Sequence, residues 1–169
     1  MNGREKMHTK TQDGEGKSFE HAWKIHEYLT SYIQLADTKA GAVIALGSIN
    51  AAILAVVPEK IDVLSNLLLG SSIVLLVIGL LLAISVIAPR TTNKSSDGFI
   101  YWKNIMAFDH YDKYKQAFLA EGLLDDVLKH NYYLAGVAEA KYRRLNVAIG
   151  WQYFAQAFFW LAIALIKIL

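Results

Sequence analysis

The sequence predicts an all-α integral membrane protein in which three transmembrane helices carry a small cytoplasmic helical bundle. Three observations lead there. The 169-residue chain is 54% hydrophobic and only 19% charged, more apolar than an ordinary soluble domain of that length. Residues 40–57, 63–88 and 147–166 contain no Asp, Glu, Lys or Arg. Each reaches or exceeds roughly 18 residues, enough to cross hydrocarbon at about 1.5 Å per residue. No strand-like alternation occurs anywhere, and backbone groups in lipid must be satisfied within their own segment, so the spans are expected as helices.

The elements follow in order. Residues 1–17 are polar and glycine-containing and are expected as a disordered cytoplasmic tail. Ser18 is the expected N-cap of a cytoplasmic helix over residues 18–39, where Phe19, Ala22, Trp23, His26, Leu29, Ile33 and Ala36 recur at helical spacing. No Pro or Gly separates this helix from span 1, residues 40–57. With about 39 residues before it, span 1 is expected to stay as an anchor rather than be cleaved as a signal peptide. Span 2, residues 63–88, follows the short link "PEKID". Residues 89–146 form a cytoplasmic helical loop: the break "PRTTNKSSDG", an aromatic amphipathic segment, and a long helix from near Leu124 into span 3, residues 147–166.

Lys and Arg fix the expected orientation. Residues 1–39 hold six, residues 58–62 one, residues 89–146 nine, and the C-terminal end one. The positive-inside rule places the N-terminus and the long loop in the cytoplasm of a multi-pass chain.

Several function classes fall away. With no cysteine, disulfides, thiol catalysis and cysteine-liganded zinc are excluded. A net charge of +2 does not argue for nucleic acid. "GEGKS" at Gly14–Ser18 resembles the tail of a phosphate loop, but Thr11 stands where the first glycine belongs and no strand precedes it. His21 and His26 leave a helix on different faces, and "DHYD" at Asp109–Asp112 has no second ligand cluster, so no metal or cofactor is expected. No nucleophile–base arrangement stands out. The chain is not expected to be an enzyme.

The spans carry their own chemistry. Gly41, Ala45, Ser48, Ala52 and Ala55 form a stripe of small residues suited to close helix approach. Span 2, rich in Leu, Ile and Val, reads as lipid-facing. Asn50, Gln152 and Gln156 fall at comparable depth, as interhelical hydrogen-bonding groups or as a polar seam able to hydrate. At the cytoplasmic mouth, Asp37 is expected to pair with Arg143 or Arg144, while Lys39 reaches headgroups or an anionic ligand.

At these residues the chain resembles a known family, the Pycsar effector transmembrane proteins of bacterial antiphage defence. The likeness rests on "ADTKA" entering span 1 (Ala36–Ala40), "FIYWKNIMAF" after the first pair of spans, and an "AxxKYRRL" run before the last (Ala138–Leu145). It covers residues 20–166. The resemblance implies an effector that does no chemistry itself. It senses cyclic CMP or cyclic UMP made by a partner pyrimidine nucleotide cyclase, then impairs the bacterial inner membrane, causing growth arrest or death by abortive infection. For such a ligand, phosphate calls for Arg and Lys and the base for an aromatic face. Lys39, Tyr101, Trp102, Lys141, Tyr142, Arg143 and Arg144 are the candidates. Without a strand pattern, the pocket would form between helices or between subunits of a homo-oligomer in the lipid bilayer. The competing expectation is a non-enzymatic scaffold or accessory subunit that anchors a cytoplasmic partner.

Overall fold

The computed structural model describes residues 3–57, 62–88, 100–120 and 122–168, with side chains in the first helix described from Gly14. The described residues form five helices: α1 (Gly3–Leu54), α2 (Val63–Ile87), α3 (Trp102–Met106), α4 (Tyr111–Ala120) and α5 (Leu123–Ile168). The link at residues 58–61, the whole break over residues 89–98 with Phe99 after it, and the Trp102 side chain lie outside them. The all-helical class therefore holds among the described residues.

Two boundaries differ from expectation. The tail over residues 1–17 is helical from Gly3 onward. Ser18 does not cap a helix start; its hydroxyl donates to the Gly14 carbonyl at 2.9 Å, a back-bond made inside a continuing helix. Isolated glycines such as Gly14 and Gly16 weaken a helix by about 1 kcal/mol each but do not stop it.

The span count also changes. Among the described residues two helices, α2 and α5, are long and apolar enough to cross a membrane, not three. Helix α1 ends at Leu54, so only about 15 uncharged residues after Lys39 are helical, about 22 Å of length. Any longer helical window takes in Asp37 and Lys39. In both candidate spans only 22% of the apolar window is buried. A soluble core helix would bury most of it, so these surfaces require lipid or further protein.

The chain divides into two units. One comprises Met1–Tyr32 and Arg90–Ala138, the other Ile33–Pro89 and Glu139–Leu169. In the first, Ala22 and Val127 are buried, and the Asn131 amide donates to the Ala22 carbonyl at 2.7 Å, tying α1 to α5. Phe108 meets Tyr114 edge-on at 5.6 Å, joining the turn after α3 to α4.

The second unit is a three-helix seam of unusually small residues. Its buried positions alternate by four and three: Ala36, Ala40, Val43 and Asn50 on α1, Ser65, Leu69, Ser72, Leu76, Gly79, Ala83 and Val86 on α2. On α5 the set is Lys141, Leu145, Ala148, Gln152, Ala155, Phe159 and Ala162. This is the period of a left-handed coiled-coil seam, and small side chains let the backbones approach. Two apolar clusters result. One joins Ala36, Ala40 and Val43 to Ala83, Val86, Leu145 and Ala148. The other joins Leu69, Phe159 and Ala162 to Ile53, Leu54 and Val57.

The small stripe expected on span 1 is not this seam. Ala45, Ser48, Ala52 and Ala55 are exposed, on a face roughly 140° away at 100° per residue. Span 2, read as lipid-facing, instead buries one complete face, because Ser65, Ser72 and Gly79 fall one heptad apart among the leucines. At its start Asp62 caps α2 by accepting from the Ser65 backbone N–H at 3.0 Å. The Ser65 side chain and backbone hold Asp62 below the usual carboxylate range.

Candidate functional site

The cationic cluster predicted at the span entrance is assembled in the second unit, with its partners exchanged. Asp37 pairs with Lys141, not with Arg143 or Arg144. Lys141 is 7% exposed and also donates to the Val86 carbonyl at 2.8 Å. Arg144 donates to the Ser85 carbonyl at 3.3 Å.

The reason lies in α2. Its last carbonyls have no intrahelical donor, and its last turn carries no basic residue. Lys141 and Arg144 supply from α5 the positive charge and donors that a helix C-terminus calls for. Lys141, inward on the α5 seam, reaches both that helix end and the carboxylate on α1. It ties three helices together.

The remaining cations stay available. Lys39 is exposed, with its ammonium 5.7 Å from the centroid of the half-buried Tyr142 ring. Arg143 and Arg144 are both exposed. The mouth therefore presents Lys39 beside the Tyr142 ring, with Arg143 and Arg144 exposed on other faces of α5 at the same level, near a buried ion pair that ties the helices.

The other predicted ligand contacts belong to the first unit. Tyr101 is half-buried just before α3, and its carbonyl accepts from the Asn104 N–H at 2.9 Å. Tyr132 and Tyr133 meet edge-on at 6.1 Å on α5. An unexpected aromatic row also appears there. Trp23 stacks on His26 at 5.0 Å, and His26 meets His130 at 5.3 Å. Spacing along one helix could not reveal a pairing between residues so far apart in the chain. No group of three or more His, Cys, Asp or Glu suited to a metal occurs among the described residues.

Between its two apolar clusters, the second unit holds the predicted polar residues. Asn50 and Gln152 are 3% and 4% exposed, while Gln156 is half-buried. The Asn50 Nδ2 and Gln152 Nε2 groups have no hydrogen-bond partner within the protein. The interhelical bond at this depth comes from α2 instead, where the Ser72 hydroxyl donates to the Ala155 carbonyl at 3.0 Å. Gly79 faces Gln152 so closely that an added Cβ would lie 3.6 Å from Gln152 Oε1.

Fold and site together define a helical protein with two helices of membrane-spanning length and a cationic, aromatic cluster at the ends of its packed seam. A family model, PycTM, described as the Pycsar effector protein domain, matches residues 21–169. The Pycsar effector protein SaPycTM of Staphylococcus aureus is 34% identical over 126 residues, covering 70% of this chain and 78% of its own length. No solved structure matches. The chain belongs to the Pycsar effector family and is thus an antiphage defence effector.

Proposed function

We propose that the protein senses a cyclic pyrimidine mononucleotide, cyclic CMP or cyclic UMP, made by a partner cyclase, and answers by impairing the bacterial inner membrane. The observation that carries this reading is the mouth cluster. Lys39 beside the Tyr142 ring offers charge for a phosphate and a face for a base, and Arg143 and Arg144, exposed at the same level of α5, add forked donors. The cluster lies where the C-terminal end of α2 meets the middle of α1 and α5, so a ligand there acts on their packing.

A ligand drives a change only through different affinities for two states. Lys39 and Arg143 are displayed outward, so a second copy of the chain could complete the pocket, and occupancy would then couple to assembly. The positive-inside rule puts both Lys- and Arg-rich stretches, 1–39 and 89–146, on the cytoplasmic side where the nucleotide is made. In this reading the N-terminus lies inside and the apolar end of α1 enters the bilayer beside α2 and α5. No catalysis by the effector is required.

Titration calorimetry on the detergent-solubilised chain tests recognition. One pyrimidine nucleotide should bind, with cyclic AMP and cyclic GMP at least tenfold weaker. Arg143→Glu should abolish binding without lowering the melting temperature, since Arg143 is exposed and outside the seam. Undiminished binding by Arg143→Glu would remove this cluster as the site.

A second reading has its own support. Met106, Tyr111, Leu119 and Tyr132 in the first unit are all more than 70% exposed. They would suit a scaffold that docks a cytoplasmic partner. Such a protein would bind none of the four nucleotides.

A further inference from the structure

The polar layer buried in the second unit satisfies no structural need that the helices cannot meet without it. Asn50 on α1 lies between Val43 of one apolar cluster and Ile53 of the other. Gln152 on α5 lies between Ala148 and Phe159, and Gly79 on α2 between Ala83 and Leu69. Three helices thus place their polar or side-chain-free positions in one layer, and two amide donors there remain unpaired. Amides that merely fixed helix register would be expected to bond across the seam, as Ser72 does to Ala155.

The layer continues in both directions. Toward one end of α2 come Ser72 and then Ser65, one heptad apart; toward the other, the Val86 carbonyl and the Lys141–Asp37 pair. From Ser65 to Val86 the rise is about 31 Å at 1.5 Å per residue, the thickness of a bilayer's hydrocarbon core. The interruptions on this face of α2 are Leu69, Leu76 and Ala83. The facing positions on α5 alternate small and large, Ala148, Ala155 and Ala162 with Leu145 and Phe159. A separation of α2 from α5 that moves Leu145 and Phe159 aside would join the polar positions. Asn50 and Gln152 would gain the partners they lack, which lowers the cost of the separated state.

We propose that this seam is the route by which water and small ions cross the bilayer when the effector is triggered, with Asn50 and Gln152 admitting water first. The proposal rests on the membrane-impairing reading above and names where the impairment occurs: through the helix seam of one chain rather than around it. With no ionisable residue at the mid-seam positions, the route discriminates poorly between cations and anions.

The test uses the full chain in liposomes carrying a potassium-flux reporter, with cyclic CMP or cyclic UMP as trigger. The double variant Asn50→Leu/Gln152→Met should bind nucleotide as the parent does and melt no lower, because it removes unpaired donors. Its triggered flux should fall at least tenfold. Flux equal to the parent's overturns the proposal.

A second measurement reads water access to the seam directly. The chain has no cysteine, so a single one introduced at Ser72 or Val74 is a unique thiol. Once nucleotide is added, Ser72→Cys, buried on the closed seam, should react with a charged, water-soluble thiol reagent faster than Val74→Cys, on the exposed apolar face of α2. Equal or slower reaction at position 72 overturns the seam. A parent silent to every nucleotide, but with Ser72→Cys reactive, would leave the seam standing and remove the ligand-gated reading.

Discussion

Lys141 is the residue on which the mouth of the seam depends, and its two partners are not equivalent. Its ammonium is buried, whereas the Asp37 side chain keeps 35% exposure. Removing Asp37 leaves a buried charge with only the Val86 carbonyl; removing Lys141 leaves a carboxylate that water can still reach. Breaking a buried pair from the side that strands the charge costs about 3–5 kcal/mol. Asp37→Ala should therefore lower stability by about 3 kcal/mol, and Lys141→Met by clearly less. Thermal melting of both variants in one detergent checks the order, and equal losses would show that the pair does not act as a clamp. The sequence located this cluster but not its pairing. Arg143 and Arg144 were the obvious partners by charge and depth. The choice is made by the α5 heptad, which turns position 141 inward and position 143 outward, and by the bare carbonyls at the end of α2.

At the scale of the helices, composition was enough to read an all-helical class, and the runs of α1 from Ser18 and of α5 follow from uninterrupted helical patterning, whereas the helix over the polar stretch before Ser18 does not. The buried faces were harder to read. In a segment made almost wholly of Ala, Gly, Leu, Ile and Val, every face is apolar, so hydrophobic periodicity carries little phase information. The stripe chosen on span 1 lies on the wrong face of α1. Span 2 was read as uniformly lipid-facing although Ser65, Ser72 and Gly79 mark its buried side. Where α1 ends decides the span count, and that depends on a turn after Leu54 which no Pro or Gly marks before Pro58. The α2 face has a measurable consequence. An added Cβ at Gly79 meets Ala148 and Gln152 atoms at ordinary contact distance, 3.5–3.6 Å. Gly79→Ala should be tolerated within about 1 kcal/mol, gaining some helix propensity. Gly79→Leu should force α2 from α5 and destabilise by 3 kcal/mol or more, on the order of the larger overpacking penalties. If both variants melt like the parent, Gly79 is not at a helix contact.

For the whole molecule, the family is established over residues 21–169, whereas the trigger and the damage are proposals joined at one place. The second unit combines exposed apolar surfaces, a cationic mouth and a core of small and polar residues. Each feature has a bland explanation alone. Together they describe a bundle held closed by modest interactions, ready to respond to charge at its end. The most direct measurement is release of an encapsulated dye from liposomes containing the purified chain, with cyclic CMP, cyclic UMP, cyclic AMP and cyclic GMP added separately. Release with one pyrimidine nucleotide and none of the purines is the expected result. Silence with all four, from protein shown to be folded and inserted, would contradict it and favour the scaffold.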